Sequence, residues 1–277
     1  MSEDLAELAR GCCAIARTAG RAILEVYDGD FAVERKQDNS PLTAADLAAH
    51  RAIVSGLQVL TPRIPVLSEE SAEQAAWSVR RQWARYWLVD PLDGTREFVK
   101  RNGEFTVNIA LIHDHRPVLG VVYAPVLDEM FWGWQGGHAF ASTPAQPGFP
   151  QSGKVELRTR SRGMPLLVAG SRSHADPRTL AALGKLGPHE LKPLGSSLKF
   201  CRAAQGQVDL YIRYGLTSEW DTAAGQCVLE QSGGGVTDLS GAPLRYNTKE
   251  SLLNTDFLAF GDASVGWAAL IAGEAGA

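Results

Sequence analysis

The residues with the clearest chemical meaning lie in one short stretch, residues 87–95 (WLVDPLDGT). Asp90 and Asp93 stand three positions apart at the end of an apolar strand, and Thr95 adds a hydroxyl. The proline and glycine within the stretch predict a sharp turn directly after Asp90. Two carboxylates held this close repel each other unless a cation lies between them. The stretch therefore predicts a site for a hard divalent metal, with Mg²⁺ as the best candidate.

Further acidic residues stand where predicted strands end or predicted helices begin, positions that often carry catalytic groups. Glu69 follows a short predicted strand, while Asp46 and Asp221 stand near predicted helix starts. Each also has a simpler interpretation: Glu69 as a solvated carboxylate, Asp46 and Asp221 as helix-capping residues. The Leu92 carbonyl faces the same turn and is a further candidate ligand. The sequence contains no histidine or cysteine cluster that would favour zinc. The acidic residues therefore predict a metal site with oxygen ligands only.

Composition and charge exclude several classes of protein. A length of 277 residues permits one large domain or two moderate ones, and the net charge of −4 argues against binding a nucleic-acid polymer. The chain begins with an acidic segment rather than an apolar signal, and no apolar run approaches the roughly 20 residues of a membrane helix. We expect a cytoplasmic protein, leaving open peripheral association with the inner membrane and the choice between monomer and homodimer. Reduced thiols are expected at Cys12, Cys13, Cys201 and Cys227.

The first half of the chain, residues 1–145, must position most of these acids. Apolar residues at steps of three and four predict a helix over 5–23. A second helix is predicted from Ala44 to about Leu60, with Thr43 as its N-cap. The predicted strands cover 65–68, 86–90, 105–112, 118–123 and 130–134. We therefore expect two helices packed on an antiparallel sheet.

A segment rich in Pro, Gly, Ser and Gln, residues 142–153, predicts a linker or an exposed crossover. Beyond it, in residues 154–277, predicted strands (166–169, 190–193, 208–213) alternate with predicted helices (177–186, 197–205 and one following Asp221). Such alternation favours a parallel or mixed sheet, whose ligands gather at the carboxyl ends of the strands.

Three motifs together resemble the inositol monophosphatase superfamily of Mg²⁺-dependent, Li⁺-sensitive phosphatases. They are EES at 69–71, DPLDGT at 90–95 and WDTAAG at 220–225. The resemblance implies an α/β (α+β) fold, a layered α/β/α/β/α sandwich, with two or three Mg²⁺ ions per site. It also implies that the metal ligands are Glu69, Asp90, the Leu92 carbonyl, Asp93 and Asp221.

The same resemblance implies roles around the metals. Asp46 and Thr95 match the pair that orients and deprotonates the attacking water. Lys36 and Asp38 lie in a segment that the family uses as a mobile loop near a further metal.

Other motifs resemble the CysQ-type branch, the 3′(2′),5′-bisphosphate nucleotidases: REF at 96–98, SRSH at 171–174 and GSSLKFC at 195–201. A bisphosphate needs cationic contacts for the phosphate that is not cleaved, and helix N-termini also favour phosphate. Simpler alternatives stay open for four of the residues in question. Lys199 and Arg213 could be surface charges, Ser196 could cap its helix, and His174 could have no ligand. The resemblance places substrate contacts at Gly94, Thr95, His174, Ser196, Lys199, Arg213 and Asp221.

The function implied is hydrolysis of the 3′-phosphate of adenosine 3′,5′-bisphosphate to AMP and phosphate, which clears a by-product of sulfate assimilation. Two alternatives stay open at this point. One is a phosphatase of inositol monophosphate or fructose 1,6-bisphosphate that uses the same site. The other is a regulatory binding protein without catalytic activity.

Overall fold

The computed structural model describes residues 4–29, 33–35, 41–142, 153–170 and 176–273, with 33–35 and 41–43 described through their backbone only. Its helices are α1 (Leu5–Tyr27), α2 (Ala44–Leu60), α3 (Trp77–Arg80), α4 (Thr95–Val99), α5 (Pro177–Leu186), α6 (Leu198–Ala204), α7 (Glu219–Gln231) and α8 (Trp267–Ala272), and a 3-10 helix covers Glu69–Gln74. Its strands are β1 (Val33–Arg35), β2 (Pro41–Thr43), β3 (Val66–Ser68), β4 (Arg85–Asp93), β5 (Thr106–His113), β6 (Arg116–Ala124), β7 (Glu129–Trp134), β8 (Ala139–Ser142), β9 (Val155–Glu156), β10 (Leu166–Gly170), β11 (His189–Pro193), β12 (Leu210–Arg213), β13 (Gly235–Asp238) and β14 (Phe257–Phe260).

The larger sheet has seven strands in the order β3-β4-β5-β6-β7-β8-β9. Its central strands are buried on both faces, so their alternating side chains enter two different cores. In β4, Tyr86 and Leu88 face one core, while Trp87 and Val89 face the other. The second of these cores lies under α1 and α2, and the first lies under α6 and α7.

The smaller sheet has five strands in the order β11-β10-β12-β14-β13, and it is mixed. β10 pairs in parallel with β11 and β12, whereas β14 pairs antiparallel with β12 and β13. One face of this sheet shares the core of α6 and α7, and the other packs under α5 and α8. Helices, sheet, helices, sheet and helices thus follow one another, which confirms the predicted α/β/α/β/α sandwich.

Most predicted elements are confirmed, and the predicted bounds of α2 and α5 coincide with the observed ones. The expectation of a purely antiparallel first sheet is wrong for one pair, because β3 and β4 run parallel. The 3-10 helix and α3 form the crossover that a parallel pair requires. The short elements α3, α4, β8, β9 and α8 have too few residues for a periodic pattern to reveal them.

The predicted turn directly after Asp90 is also wrong, because β4 continues to Asp93 and its pairing with β5 shifts register between these residues. Asp90 pairs with Asn108 and Asp93 with Thr106, so three steps on β4 match two on β5. This irregularity is a β-bulge, and it changes which face of the sheet Asp93 lies on. In a regular strand, residues three apart point to opposite faces, whereas one extra residue allows both carboxylates to share a face.

The strand ends at Gly94, which has φ 95° and precedes α4. A side chain is disfavoured in this left-handed region, so glycine suits the sharp change of direction. A second glycine, Gly120 on β6, brings α7 close to the sheet, because an added Cβ would overlap the Ala224 carbonyl oxygen. Both glycines therefore help to place elements that carry acidic site residues.

The predictions on the cysteines, on membrane helices and on the linker can also be compared with the structure. All four cysteines are buried and free, as predicted. Within the described ranges, no helix combines the length and the apolar character that a bilayer crossing demands. Strand β9 lies beyond the predicted linker and pairs with β8, so the linker connects two strands of one sheet. The division of the chain into two domains at that linker stays a prediction.

Candidate metal centre and substrate cleft

The five acids singled out from the sequence are carried by four different parts of the fold. Glu69 opens the 3-10 helix directly after β3, and Asp46 is the third residue of α2. Asp90 and Asp93 flank the bulge of β4, and Asp221 is the third residue of α7. Although α2 and α7 pack on opposite faces of the larger sheet, their acids come together near the end of β4, since Asp46 and Asp221 both act on the buried Asp90.

Three of these carboxylates form a compact group. Asp90, Asp93 and Asp221 each place one carboxylate oxygen so that all three lie within 4.8 Å of one another. Asp90 is almost fully buried, with 1% of its surface exposed. Oxygen-only ligands at this spacing fit a hard divalent cation, which would be held by a few carboxylates together with substrate and water. The donor set present in the structure therefore fits the metal that the sequence predicts.

The electrostatics of the group agree with this fit. Burial raises the pKa of Asp90 well above its usual value, and the carboxylates of Glu69, Asp93, Asp221 and Asp46 raise it further. These interactions also place Glu69 and Asp46 close enough to influence Asp90. A divalent cation would reverse the effect by favouring the charged forms.

Asp221 has a structural role in addition to its place in the acidic group. Its Oδ2 accepts a hydrogen bond from the Ser218 backbone N–H at 2.8 Å, within a reciprocal capping box at the start of α7. The N-cap is therefore Ser218, so the alternative of Asp221 as N-cap is wrong and the helix begins before it. Burial and the nearby Asp93 raise the pKa of Asp221, while the Ser218 N–H lowers it.

A cleft of about 410 Å³ extends from this acidic group. Its lining combines two acids, Asp93 and Asp221, here called the acidic part, with two cations, Lys199 and Arg213, here called the cationic part. Ser196 lines the same cavity. The five side chains come from β4, α7, the segment before α6, α6 itself and β12. Residues assigned separately to metal and to substrate from the sequence thus share one cavity.

Lys199 is buried at the wall of this cleft. Its Nζ donates a hydrogen bond to the Ser196 carbonyl oxygen at 2.9 Å, which leaves two of the three ammonium N–H groups for other acceptors. Burial lowers its pKa to about 8, an effect that the Asp93 carboxylate opposes and the Arg213 guanidinium reinforces. The surface-charge alternative for Lys199 is therefore wrong.

Arg213 ends β12, as predicted, and is half-buried. It donates from Nη2 to the Leu216 carbonyl oxygen at 3.0 Å. Its Nε is buried and has no hydrogen-bond partner among the described residues. A buried donor of this kind is costly unless a ligand or water satisfies it, which is consistent with a place for an anion.

Two serines join the acidic and the cationic parts of the cleft. Ser196, whose φ is 50°, donates from its hydroxyl to Asp93 Oδ2 at 2.7 Å. The Ser197 hydroxyl lies 3.0 Å from the same oxygen and 2.7 Å from the Asp221 carbonyl oxygen. Asn108 on β5 donates to Ser197 Oγ at 3.1 Å. Ser196 is thus a partner of Asp93 rather than the N-cap of α6, a position that Ser197 occupies.

No role was predicted for Ser197 or Asn108 from the sequence. For Ser197 the available signal was its position in the motif at 195–201, beside Ser196. Their contacts depend on β5 and α6 meeting across the core, which a local pattern does not report.

For other predicted site residues the structure gives a position but does not test the predicted role. Thr95 begins α4, and its pairing with Asp46 stays a prediction. Gly94 lines the cleft, and the Leu92 N–H donates to Asp90 Oδ1 at 3.0 Å, while metal binding by the Leu92 carbonyl stays a prediction. Outside the described residues lie His174, Lys36 and Asp38.

Comparison with known proteins gives this geometry a context. The model of the family described as "Inositol monophosphatase family" matches residues 4–259. The chain belongs to the inositol monophosphatase family. This family is metal-dependent, in agreement with the acidic group on β4 and α7.

Similar proteins within the family carry a more specific name. The chain is 52% identical to the 3′(2′),5′-bisphosphate nucleotidase CysQ of Salmonella typhimurium, over 88% of this chain and 96% of the relative. The CysQ protein of Escherichia coli K12 is 51% identical with the same coverage. A crystal structure of CysQ from Bacteroides thetaiotaomicron superposes with a TM-score of 0.80 at 38% identity, covering 92% of this chain and 97% of that one.

Proposed function

We propose that this protein is a phosphatase that hydrolyses the 3′-phosphate of adenosine 3′,5′-bisphosphate, giving AMP and phosphate. Its role would be to clear this by-product of sulfate assimilation. The observation that carries the proposal is the shared cleft, whose lining includes both the acids Asp93 and Asp221 and the cations Lys199 and Arg213. A ligand with two phosphates matches a cavity that offers a metal-binding acidic group for one phosphate and cationic side chains for the other. The names of the CysQ relatives support the same choice.

The phosphate that is not cleaved would lie against the cationic part. Lys199 offers two N–H donors there, and Arg213 offers its buried Nε. Charge-assisted hydrogen bonds to phosphate are the stronger kind, and the planar fork of guanidinium N–H groups suits phosphate oxygens. Under this proposal these two residues select the bisphosphate over a monophosphate.

At the acidic part, Glu69, Asp90, Asp93, Asp221 and the Leu92 carbonyl would hold Mg²⁺. When bound, Mg²⁺ neutralises the developing charge on the transferred phosphoryl group and on the leaving oxygen. Thr95 and Asp46 would hold the attacking water, and a carboxylate oxygen of Asp46 would accept its proton. The water oxygen then bonds to phosphorus in line as the bond to the 3′-oxygen breaks, and the 3′-oxygen takes a proton from solvent water to leave as the 3′-hydroxyl of AMP.

The test is phosphate release by the purified protein with Mg²⁺ from four substrates: adenosine 3′,5′-bisphosphate, AMP, inositol 1-phosphate and fructose 1,6-bisphosphate. We expect the highest kcat/KM for the bisphosphonucleotide, and inhibition by Li⁺. Comparable or higher kcat/KM for either sugar phosphate would contradict the proposed substrate. No phosphate release from any of the four would contradict the phosphatase activity itself.

A further inference from the structure

A buried polar group lies at the start of α7, two residues before Asp221, and does not line the cleft among the described residues. It consists of Arg80 at the end of α3, Glu219 at the start of α7 and Asn247 in the segment between β13 and β14. All three side chains are nearly inaccessible, at 3%, 1% and 0% exposed. Buried charged residues are rare without a structural or functional reason, so the group calls for an explanation.

Hydrogen bonds connect the three residues in a chain. The Asn247 backbone N–H donates to Glu219 Oε2 at 2.7 Å. The Asn247 side chain accepts from the Arg80 guanidinium and donates to the Arg80 carbonyl oxygen at 2.6 Å. The guanidinium also donates to the Glu250 carbonyl oxygen and lies over the Trp77 ring. Glu219 and Arg80 are thus joined through one asparagine.

The segment 247–254, here called the strap, crosses the start of α7. It forms hydrogen bonds to α7 beyond the one at Asn247. The Glu219 N–H donates to the Leu252 carbonyl oxygen at 2.8 Å. Asn254 donates from its side chain to the Ser218 carbonyl oxygen at 2.7 Å. The first turn of α7 is therefore held from both ends of the strap.

The elements joined in this way are those that carry metal-site acids. Asp221 is two residues after Glu219 on α7, and Glu69 stands in the crossover that α3 and Arg80 complete. Tyr86 connects the group to the third element, because it shares the face of β4 that leads to Asp90 and interacts electrostatically with Glu219. The buried group thus joins α3 to the start of α7 and lies close enough to β4 to influence Tyr86.

We propose that Glu219, acting through Asn247 and Arg80, is a positioning residue that holds the start of α7 against the crossover after β3 and so sets the separation of Glu69 and Asp221 for metal binding. Glu219 does not line the cleft among the described residues, so it acts through Asp221 rather than on substrate. Residues that hydrogen-bond directly to metal ligands commonly contribute 10- to 100-fold to metal affinity, and Glu219 acts one step further away, so we expect an effect at the lower end of that range. The proposal rests on the metal centre of the proposed function and not on its substrate.

The experiment measures binding of Mg²⁺ alone by titration calorimetry, with Mn²⁺ as a spectroscopic probe, so no substrate is needed. Glu219→Ala removes the acceptor of the Asn247 N–H, and we expect the dissociation constant for Mg²⁺ to rise about 10-fold. Glu219→Gln keeps an acceptor oxygen at that position and should restore the wild-type value within about 2-fold.

The matched control is Asp209→Ala. Asp209 is equally buried, at 1% exposed, and also accepts several hydrogen bonds, from Arg160, Gly163 and Leu167. It stands at the start of β12, away from the acidic group, so its loss should lower the melting temperature and leave Mg²⁺ affinity within about 2-fold. Equal loss of Mg²⁺ affinity in both alanine variants would overturn the proposal, as would unchanged affinity in folded Glu219→Ala.

A second variant keeps the proposal testable if Glu219→Ala does not fold. Asn247→Gly retains the backbone N–H and tolerates the φ of 54° at this position, but it loses the link to Arg80. We expect Mg²⁺ affinity to fall about 3- to 10-fold in this variant. Wild-type affinity in folded Asn247→Gly would overturn the proposed role of the link to Arg80. If the proteins bind Mg²⁺ as expected but release no phosphate, only the proposed substrate or activity fails.

Discussion

The two parts of the cleft are built in opposite ways. The acidic part gathers like charges, and its main members come from short motifs on β4 and α7. The cationic part gathers Lys199 and Arg213 from two different elements, α6 and β12. Each part is unfavourable by itself, because burial and like charges raise the pKa of Asp90 and lower that of Lys199. Each part is therefore suited to a ligand of the opposite charge.

The parts also differ in how they are fastened to the fold. The acidic part is held by a bulge, a capping box and the buried group at the start of α7, all of which set distances between carboxylates. Within the part of the chain that the structure describes, the cationic part is held more simply, by one hydrogen bond from Lys199 to the Ser196 carbonyl and one from Arg213 to the Leu216 carbonyl. We therefore expect substitutions in the acidic part to abolish turnover and those in the cationic part to change substrate affinity.

The largest effect is expected from Asp93→Asn, which removes one of the three close carboxylates. Loss of its charge weakens metal binding and the electrostatic stabilisation that depends on it, so kcat should fall about 10³-fold. Phosphate release with Mg²⁺ measures this. Asp114→Asn is the control, because Asp114 is an exposed residue in the turn between β5 and β6, where asparagine also tolerates a positive φ. A wild-type kcat in Asp93→Asn would contradict the assignment of Asp93 as a metal ligand.

A smaller effect, confined to affinity, is expected from Lys199→Met. Losing a charge-assisted hydrogen bond worth about 2 kcal/mol should raise KM for the bisphosphate about 30-fold and change kcat little. Steady-state kinetics on a bisphosphate and a monophosphate substrate separate the two parts, since KM for the monophosphate should stay unchanged. Lys192→Met is the control, because Lys192 forms an exposed ion pair with Glu190. An equal rise of KM for both substrates would contradict a separate cationic part.

The same lysine predicts a pH dependence. Burial lowers the pKa of Lys199 to about 8, and only its protonated form carries the charge that binds an anion. As pH rises above about 8 the free enzyme loses this charge, so kcat/KM for the bisphosphate should fall up to about 10-fold per pH unit. The profile of Lys199→Met should lack this decline. A wild-type profile that stays flat up to pH 9.5 would contradict a lowered pKa for Lys199 in an anion-binding role.

The smallest effect is expected at Ser197, which joins the two parts. Ser197→Ala removes the hydroxyl that lies near both Asp93 and the Asp221 carbonyl, so the carboxylate is less well oriented. The Mg²⁺ concentration for half-maximal activity should rise about 5-fold, with a modest change in kcat. Ser240→Ala, in an exposed turn, is the control. A change in KM for the bisphosphate without any change in Mg²⁺ dependence would assign Ser197 to the cationic part instead.

Much of this molecule was predictable from local patterns. The helices α2 and α5 were predicted with their observed bounds, because a 3.6-residue apolar period and end signals are local properties. The oxygen-only acidic set and the family resemblance were also predictable, since they depend on residue types and short spacings. The roles of Asp46, Thr95 and the Leu92 carbonyl stay predictions on the same basis.

The sequence by itself determined which residues could bind a metal and an anion, and which segments form helices and strands. Only the tertiary structure decided that Asp90 and Asp93 share a face, because a bulge is defined by the register with β5. It also decided that Lys199 is buried and that Ser197 reaches Asp93. The buried group around Glu219 had no sequence signal, because its members meet only when α3, α7 and the strap pack together. The physical reason is that periodicity reports the neighbours along one element, whereas distances between elements are set by packing.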